Sequence, residues 1–169
     1  MKKISVVVPT YNEQENVVNI AGAIKEQFTK LPAYDWELIF IDNDSKDNTR
    51  ALIRGLCSND RHIKAIFNVR NFGQNNSPIH GILQSTGDCT IVMGCDFQEP
   101  PEMIPVFVKN WEEGYKIVAG QKTSSRENKL IYMLRGIYYK MMKRFSDTDV
   151  IEQVTGFGLY DRAFLDVVR

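Results

Sequence analysis

Five short runs of apolar and β-branched residues alternate with segments of helical spacing, and this alternation restricts the chain more than any other feature it has. Parallel strands need a crossover between them and a helix supplies it, so the pattern describes an α/β domain with a largely parallel sheet. Ile4 to Val8 reads as a buried strand stopped at Pro9. Asn12 then stands as a helix cap ahead of Val17, Ile20, Ala21, Ile24 and Phe28, which recur at helical spacing. Trp36 to Ile41 is a second strand, followed by a polar turn and a short helix near Thr49 to Leu56. Ile63 to Phe67 is a third strand, and Cys89 to Met93 a fourth, after a helix that ends near Gly87. Pro100-Pro101 opens the next helix, Gly114 closes it, and Lys116 to Ala119 makes a fifth strand.

Composition narrows the function classes. With 169 residues, 43% hydrophobic and 25% charged, the chain can build one sizeable core, which excludes disorder and a disulfide miniprotein. The 21 Lys plus Arg balance the 21 Asp plus Glu, so a global electrostatic grip on nucleic acid is not expected. Cys57, Cys89 and Cys95 are odd in number with no CxxC spacing, and read as reduced thiols of a cytoplasmic protein. The N-terminal apolar run is too short for a secretion signal, and no window reaches the roughly 18–20 apolar residues that span a bilayer.

The zero net charge hides a segregated one. Lys122 to Arg144 holds seven basic residues against one acid, Glu127, together with a broad apolar stripe from Leu130 to Phe145 at helical spacing. One reading is a core-packing helix with a solvated basic face; the other is a surface for an anionic partner such as diphosphate, phospholipid headgroups or a phosphorylated lipid.

In a parallel sheet, ligands bind beyond the C-terminal strand ends. Four polar clusters fall there: Pro9 to Glu13, Asp42 to Asp47, Arg70 to Gly73, and Gly94 to Glu102. No GxxxxGK[ST] loop occurs and no GxGxxG follows the first strand, so the common ATP and dinucleotide cradles are absent. Tyr11 between Thr10 and Asn12 suits stacking on a base and bonding its edge. Asp42 can accept from a base N–H or a ribose hydroxyl. Asp96, at the end of a buried strand, suits a hard cation such as Mg²⁺ or Mn²⁺ bridging to phosphate, or simply charges the N-terminus of the helix opened by Pro100. Gln98 shares its face if the segment stays extended.

Taken in order, these residues resemble family 2 glycosyltransferases of the GT-A fold, in particular the dolichol-phosphate mannosyltransferase-like branch that loads sugars onto polyprenyl phosphates. The resemblance rests on P-x-Y-N-E at Pro9 to Glu13, D-D-x-S-x-D at Asp42 to Asp47, and R-N-x-G at Arg70 to Gly73. It continues through Gly87-Asp88, the D-x-D-L-Q-D-P-P-E segment at Gly94 to Glu102, the basic helix, and G-x-F-x-L-x-D-R at Thr155 to Arg162. The resemblance implies a Rossmann-like, mostly parallel sheet flanked by helices. It assigns Pro9, Thr10, Tyr11, Glu13, Asp42, Asn43, Asn71, Gly94 and Asp96 to the nucleotide-sugar. Asp96 would hold the metal and act in catalysis with Gln98 and Glu99, which line the donor–acceptor gap. Lys122, Arg126 and Arg135 would engage diphosphate or the acceptor.

Three positions depart from the family pattern: Gly94 replaces the first Asp of D-x-D, Asn43 replaces the second Asp of D-D, and Gly156 stands where many relatives carry an acid. No E-D pair marks a general base. A sugar hydroxyl needs such a base, whereas a phosphate acceptor is already anionic and mainly needs positioning, so a polyprenyl phosphate is favoured over a saccharide. The expected activity is metal-assisted, inverting sugar transfer from a UDP- or GDP-sugar. Residues 1–120 form its nucleotide-sugar half, and residues 121–169 supply the acceptor-side basic helix and the start of a tail. The resemblance further implies the catalytic core of a longer protein at the inner face of the membrane, with room for membrane-surface contact and for a homo-oligomer. Two other readings remain at this stage. One is a nucleotide-sugar-binding module without turnover. The other is a haloacid-dehalogenase-like phosphatase, since Leu38 to Ser45 also fits hhhhDxDx[ST].

Overall fold

The computed structural model describes residues 1–121 and 154–168. Its strands are β1 (Lys3–Thr10), β2 (Asp35–Asp42), β3 (Ile63–Phe67), β4 (Cys89–Val92), β5 (Ile117–Gln121) and β6 (Val154–Asp161). The described helices are α1 (Val17–Thr29), α2 (Thr49–Asn59), α3 (Gly73–Gln84), α4 (Ile104–Glu112) and α5 (Arg162–Val167), with a 3₁₀ turn at Pro101–Met103. The strands form one six-stranded sheet in the order β3-β2-β1-β4-β6-β5. β1 pairs in parallel with both β2 and β4, and β2 with β3, whereas β6 runs antiparallel to β4. This is the mostly parallel α/β architecture expected from the alternation of runs. The basic stretch from Lys122 to Arg144 lies outside the described residues. Residues Met1–Val118 with Phe157–Arg169 form one compact unit and Ala119–Gly156 a second.

Strand periodicity divides the core. Ile4, Val6, Val8, Leu38, Phe40 and Ile91 point to one face of the sheet, in a cluster with Ile20 and Ile24 of α1, Ile53 of α2 and Phe107 of α4. Full burial of each such side chain contributes about 1.5–3 kcal/mol. Val7, Ile39 and Ile41 point to the other face with Ile66. There α3 lies so close that a Cβ on Gly81 would meet Val7 Cγ1 at 2.8 Å and Ile41 Cγ2 at 3.2 Å.

Two sequence expectations shift at the first strand. β1 does not stop at Pro9 but continues to Thr10, with Pro9 opposite Ile41. The Val7 carbonyl accepts from Met93 on the β4 side, and the Thr10 carbonyl accepts from Asn43 on the β2 side. Pro9 shares the parity of Val7, and β4 pairing ends at Val7, so the missing N–H removes no ladder bond. Asn12 is not the cap of α1, whose N-cap is Asn16; Asn12 sits in the left-handed region at φ 56° and its side chain bonds elsewhere. The anticipated proline start and glycine end of the fourth helical segment hold: Gly114, at φ 105°, donates its N–H to the Trp111 carbonyl.

The D-R of the tail is structural. Asp161 caps α5 through the Ala163 N–H at 2.9 Å and accepts the buried Trp111 Nε1–H at 2.6 Å. Arg162 donates to the carbonyls of Gly87 and Ser85, both at 2.9 Å, closing the α3–β4 turn. No described helix is long and apolar enough to cross a membrane.

Candidate functional site

Parallel pairing brings the ends of β1, β2, β3 and β4 to one edge of the sheet, and the four polar clusters with them. The first two are stitched to each other by side chain–backbone bonds. Asn12 N–H donates to Ser45 Oγ at 2.9 Å, and Lys46 N–H returns to Asn12 Oδ1 at 2.8 Å. Glu13 N–H donates to Thr49 Oγ1 at 2.8 Å, Gln14 N–H to Asp47 Oδ2 at 3.2 Å, and Asn48 N–H to Gln14 Oε1 at 3.0 Å. Burial opposes ionisation of Asp47, but the Thr49 hydroxyl, the Thr49 N–H and the Gln14 N–H outweigh it and hold the carboxyl below its ordinary range. Polar residues are therefore spent here on fixing loops that have no ladder to satisfy their backbone.

Between the fixed loops and the N-terminus of α3 lies a cavity of about 430 Å³. Six residues assigned to the nucleotide-sugar line it: Pro9, Thr10, Tyr11, Glu13, Asn43 and Asn71. Tyr11 is 47% exposed, which leaves its ring face open for stacking. Gly73, the end of the anticipated Arg70–Gly73 cluster, completes the wall with Gln74, Ser77 and Pro78 of α3, three residues that sequence reasoning missed. The available signal was the R-N-x-G turn itself, which points the start of the next helix at the same edge.

Asn43 organises that turn. Its Oδ1 accepts from Phe72 N–H at 2.8 Å and Asn68 Nδ2 at 3.2 Å, while its Nδ2 donates to Asn71 Oδ1 at 2.8 Å and the Gly73 carbonyl at 3.3 Å. Both functions of the amide, donor and acceptor, are used. An Asp at this position could make only the accepting half of the set.

Asp42, the last residue of β2, is fully buried. Its Oδ1 accepts from Arg50 Nε at 2.6 Å and Ser45 N–H at 3.2 Å. Its Oδ2 has no partner and is closed off from solvent. A buried carboxylate oxygen left unpaired is costly, and native structures keep such atoms mostly where something else uses them. Thr10, its register partner on β1, and Asn43, its chain neighbour, both line the cavity. Arg50 was not singled out in the sequence, because nothing local ties a residue of α2 to a strand-end carboxylate.

The fourth cluster follows β4. Gly94 N–H donates to Glu99 Oε2 at 2.6 Å, and Gln98 N–H to Asp96 Oδ1 at 3.1 Å. Phe97, between Asp96 and Gln98, sits in the left-handed region at φ 59°, so the segment does not stay extended and Gln98 does not share Asp96's face by strand alternation. A Cβ on Gly94 would lie 3.3 Å from Asp96 Oδ1 and 3.6 Å from Glu99 Oε2, so the absent side chain leaves space between two carboxylates. Asp96 is exposed. No group of three metal-ligating side chains occurs among the described residues. Neither Gly94 nor Asp96 lines the cavity, and Lys122, Arg126 and Arg135 lie outside the described residues.

With the site in view, the family model described as glycosyl transferase family 2 matches residues 5–169. The chain belongs to glycosyl transferase family 2. This membership removes the phosphatase reading. The family-2 chain is 30% identical over 168 residues to the prophage bactoprenol glucosyl transferase homolog of Escherichia coli strain K12, covering 99% of this chain and 55% of that protein. It is 34% identical over 165 residues to the undecaprenyl-phosphate 4-deoxy-4-formamido-L-arabinose transferase of Yersinia pestis strain Pestoides F, covering 95% of this chain and 46% of that protein. The chain thus spans about half the length of these curated relatives. Among solved structures, glucosyl-3-phosphoglycerate synthase from Mycobacterium tuberculosis, in complex with Mn²⁺, UDP and phosphoglyceric acid, aligns with a TM-score of 0.67 at 22% identity, covering 96% of this chain and 56% of that one. The mannosyltransferase PcManGT from Pyrobaculum calidifontis, in complex with GDP-Man and Mn²⁺, aligns with a TM-score of 0.64 at 17% identity, covering 99% and 46%. At these identities the structural likeness speaks for the fold.

Proposed function

We propose that the chain is the single catalytic domain of a glycosyltransferase that moves a sugar from a UDP- or GDP-sugar onto a polyprenyl phosphate, with inversion at the anomeric carbon. The observation that carries the reading is the strand-edge cavity: an open aromatic ring at Tyr11, amides at Asn43 and Asn71, and the unpaired Asp42 Oδ2 beside it. An aromatic face with acceptors at its edge is what a nucleobase and ribose require. Oδ2 is closed off here, so a base N–H reaches it only when neighbouring side chains give way.

A divalent cation fits the β4 end. Mg²⁺ and Mn²⁺ take hard oxygen ligands and are commonly held by one or two carboxylates, with phosphate and water completing the shell. Asp96 offers such a carboxylate and Gly94 leaves the space beside it. A cation held there supplies charge neutralisation for the departing nucleoside diphosphate. The chain's own residues do the remainder: Pro9, Thr10, Tyr11, Glu13 and Asn71 orient the nucleoside, and Gln98 and Glu99 shape the gap where donor and acceptor meet. Lys122, Arg126 and Arg135 supply positive charge to diphosphate or acceptor. A phosphate acceptor attacks without a general base, which agrees with the missing E-D pair and with the bactoprenol and undecaprenyl-phosphate names of the relatives. Such an acceptor places the whole protein at the inner face of the membrane.

The test is thermal stabilisation by UDP or GDP with Mn²⁺, followed by slow hydrolysis of the corresponding nucleotide-sugar. Asp96→Ala should abolish hydrolysis. If no nucleotide with any divalent ion shifts melting, the donor-site assignment fails; tight binding without turnover would instead establish a binding module.

A further inference from the structure

The corner where β3 runs into α3 combines exposure with rigidity. Asn68 is buried, donates to Asn43 Oδ1 at 3.2 Å and Ser77 Oγ at 3.0 Å, and accepts from Arg50 Nη2 at 2.5 Å. Phe72 N–H donates to Asn43 Oδ1 at 2.8 Å, so the loop between them is pinned at both ends. Between the pins Val69 stands 88% exposed, and Phe72 and Ile79 are exposed as well. Phe72 is the N-cap position of α3, and Ile79 lies about two turns further along the same side of that helix. Exposed apolar side chains scattered singly are normal on a monomer, whereas several gathered on one fixed corner mark an interaction surface.

Charge narrows what the surface meets. Residues 61–87 contain no Asp or Glu, and α3 carries no Asp, Glu, Lys or Arg. The guanidiniums of Arg54 and Arg70 lie over the rings of Phe67 and Phe72, 4.4 and 4.9 Å from their centres. Both arginines are exposed, and neither has a carboxylate partner among the described residues. Asp44, in the loop after β2, is already held by Lys46 Nζ at 2.6 Å. A second copy of the chain related by a two-fold axis would set these guanidiniums against themselves, so the surface suits a partner of opposite charge. We propose that this corner docks on an anionic bilayer: Val69, Phe72 and Ile79 enter the headgroup boundary, while Arg54 and Arg70 meet lipid phosphates. The surface is separate in sequence from the basic stretch Lys122 to Arg144. The choice of a bilayer rests on the polyprenyl-phosphate reading above, and the docking deepens that reading. Asn71 and Gly73 line the cavity from the same corner, so docking sets the cavity mouth against the leaflet that carries the acceptor.

The experiment sediments the chain with vesicles of phosphatidylglycerol or of phosphatidylcholine, both free of polyprenyl phosphate. It compares the chain with Val69→Trp, with Val69→Asp and with the double variant Arg54→Gln, Arg70→Gln. All three positions are exposed, so the substitutions leave the core intact, and a thermal melt of each variant checks this. The chain should sediment with phosphatidylglycerol and not with phosphatidylcholine. Val69→Asp should bind more weakly, and the double variant should lose about fivefold for each guanidinium removed. The basic stretch Lys122 to Arg144 is common to every variant, so the site-specific reading comes from Val69→Trp. Its added fluorescence should be quenched by phosphatidylglycerol brominated in the acyl chains, while that of Trp36 and Trp111 in the parent chain is not. Sedimentation without quenching of the added tryptophan, or unchanged in the double variant, overturns the proposal, because another surface then holds the lipid. No sedimentation with phosphatidylglycerol, or equal sedimentation with both lipids, overturns it too. So does a concentration-dependent dimer that Val69→Asp dissolves in a chain that binds no vesicle. Quenching in a chain that neither UDP nor GDP with Mn²⁺ stabilises strikes the donor reading and supports the docking surface.

Discussion

Glu37→Gln is the substitution whose consequences the structure constrains most closely. Glu37 lies on β2 on the same face as Ile39 and Ile41, near the sheet edge opposite the cavity, and is 1% exposed. Its carboxylate accepts from Ser5 Oγ at 2.6 Å, Lys64 Nζ at 2.6 Å, Lys3 Nζ at 2.9 Å, and both the N–H and hydroxyl of Thr86 at 2.8 and 2.9 Å. One side chain thus ties β1, β2, β3 and the α3–β4 turn together. Burial resists its ionisation, but Lys64, Ser5, Thr86 and Lys3 together outweigh that resistance and hold the carboxyl far below the usual range.

A Gln at 37 keeps the shape, removes the charge and turns one acceptor into a donor facing donors. Breaking a fully buried ion pair costs about 3–5 kcal/mol; the Lys3 and Lys64 side chains are 26% and 50% exposed and can return to water, so about 2–3 kcal/mol is expected here. For a chain of this size that is a fall in Tm of about 4–12 °C. The sign with pH follows from the lowered value. A depressed carboxyl stabilises fully above its unfolded pKa, near 4.3, and loses that contribution as pH falls through the folded value. Thermal melts of both proteins from pH 7 to pH 3 should show a gap that is constant above about pH 5 and narrows below pH 4. A gap under about 2 °C at pH 7, or one that stays constant to pH 3, would refute the assignment of this charge cluster as a stabilising one.

At the neighbouring turn, a Cβ on Gly87 would lie 2.7 Å from Ser5 N and 2.8 Å from Cys89 O, both backbone atoms that cannot swing aside. Gly87→Ala should therefore destabilise by about 3 kcal/mol in urea unfolding, and an unchanged midpoint would show that the β1–β4 contact is looser than described. Thiol labelling offers a third check. Burial raises the thiol pKa of Cys57, and raises those of the buried Cys89 and Cys95 much further. In native protein at pH 8, Cys57 should react first and slowly, with the other two released only by denaturant; fast labelling of Cys95 would mean that the loop after β4 opens.

Much of this organisation was legible in the sequence because it depends on local periodicity. Five of the strands and the starts of α2 and the Pro101 turn follow from alternation, β-branching and proline alone. The misreadings share a physical origin. Pro9 reads as a strand stop until the staggered end of β4 shows that its missing donor points at no partner. Asn12 reads as a cap until the 42–49 loop arrives to bond it. Gln98 reads as sharing Asp96's face until Phe97 takes a positive φ. The pairing of β6 with β4, antiparallel and 72 positions apart at Cys89 and Asp161, carries no local signal at all. Arg50 belongs with these: its partner Asp42 is eight residues away, but the loop between them folds back rather than running on.

The same comparison separates the motif residues that hold the site from those with capacity left to touch a ligand. Asn12, Ser45, Asp47 and Thr49 place their side-chain oxygens on backbone N–H groups, and Asn43 uses donor and acceptor alike. Asp42 keeps one oxygen unpaired, and Tyr11 keeps an open ring. A match to P-x-Y-N-E or D-x-S-x-D therefore places the chain in its family without allocating roles within the motif; the hydrogen-bond accounts of the individual atoms do that. On those accounts Asn43, although it lines the cavity, supports the 68–73 turn before it can serve a nucleotide. The amide at this position donates to Asn71 Oδ1 and the Gly73 carbonyl, two contacts that the Asp of the family pattern could not make as a carboxylate.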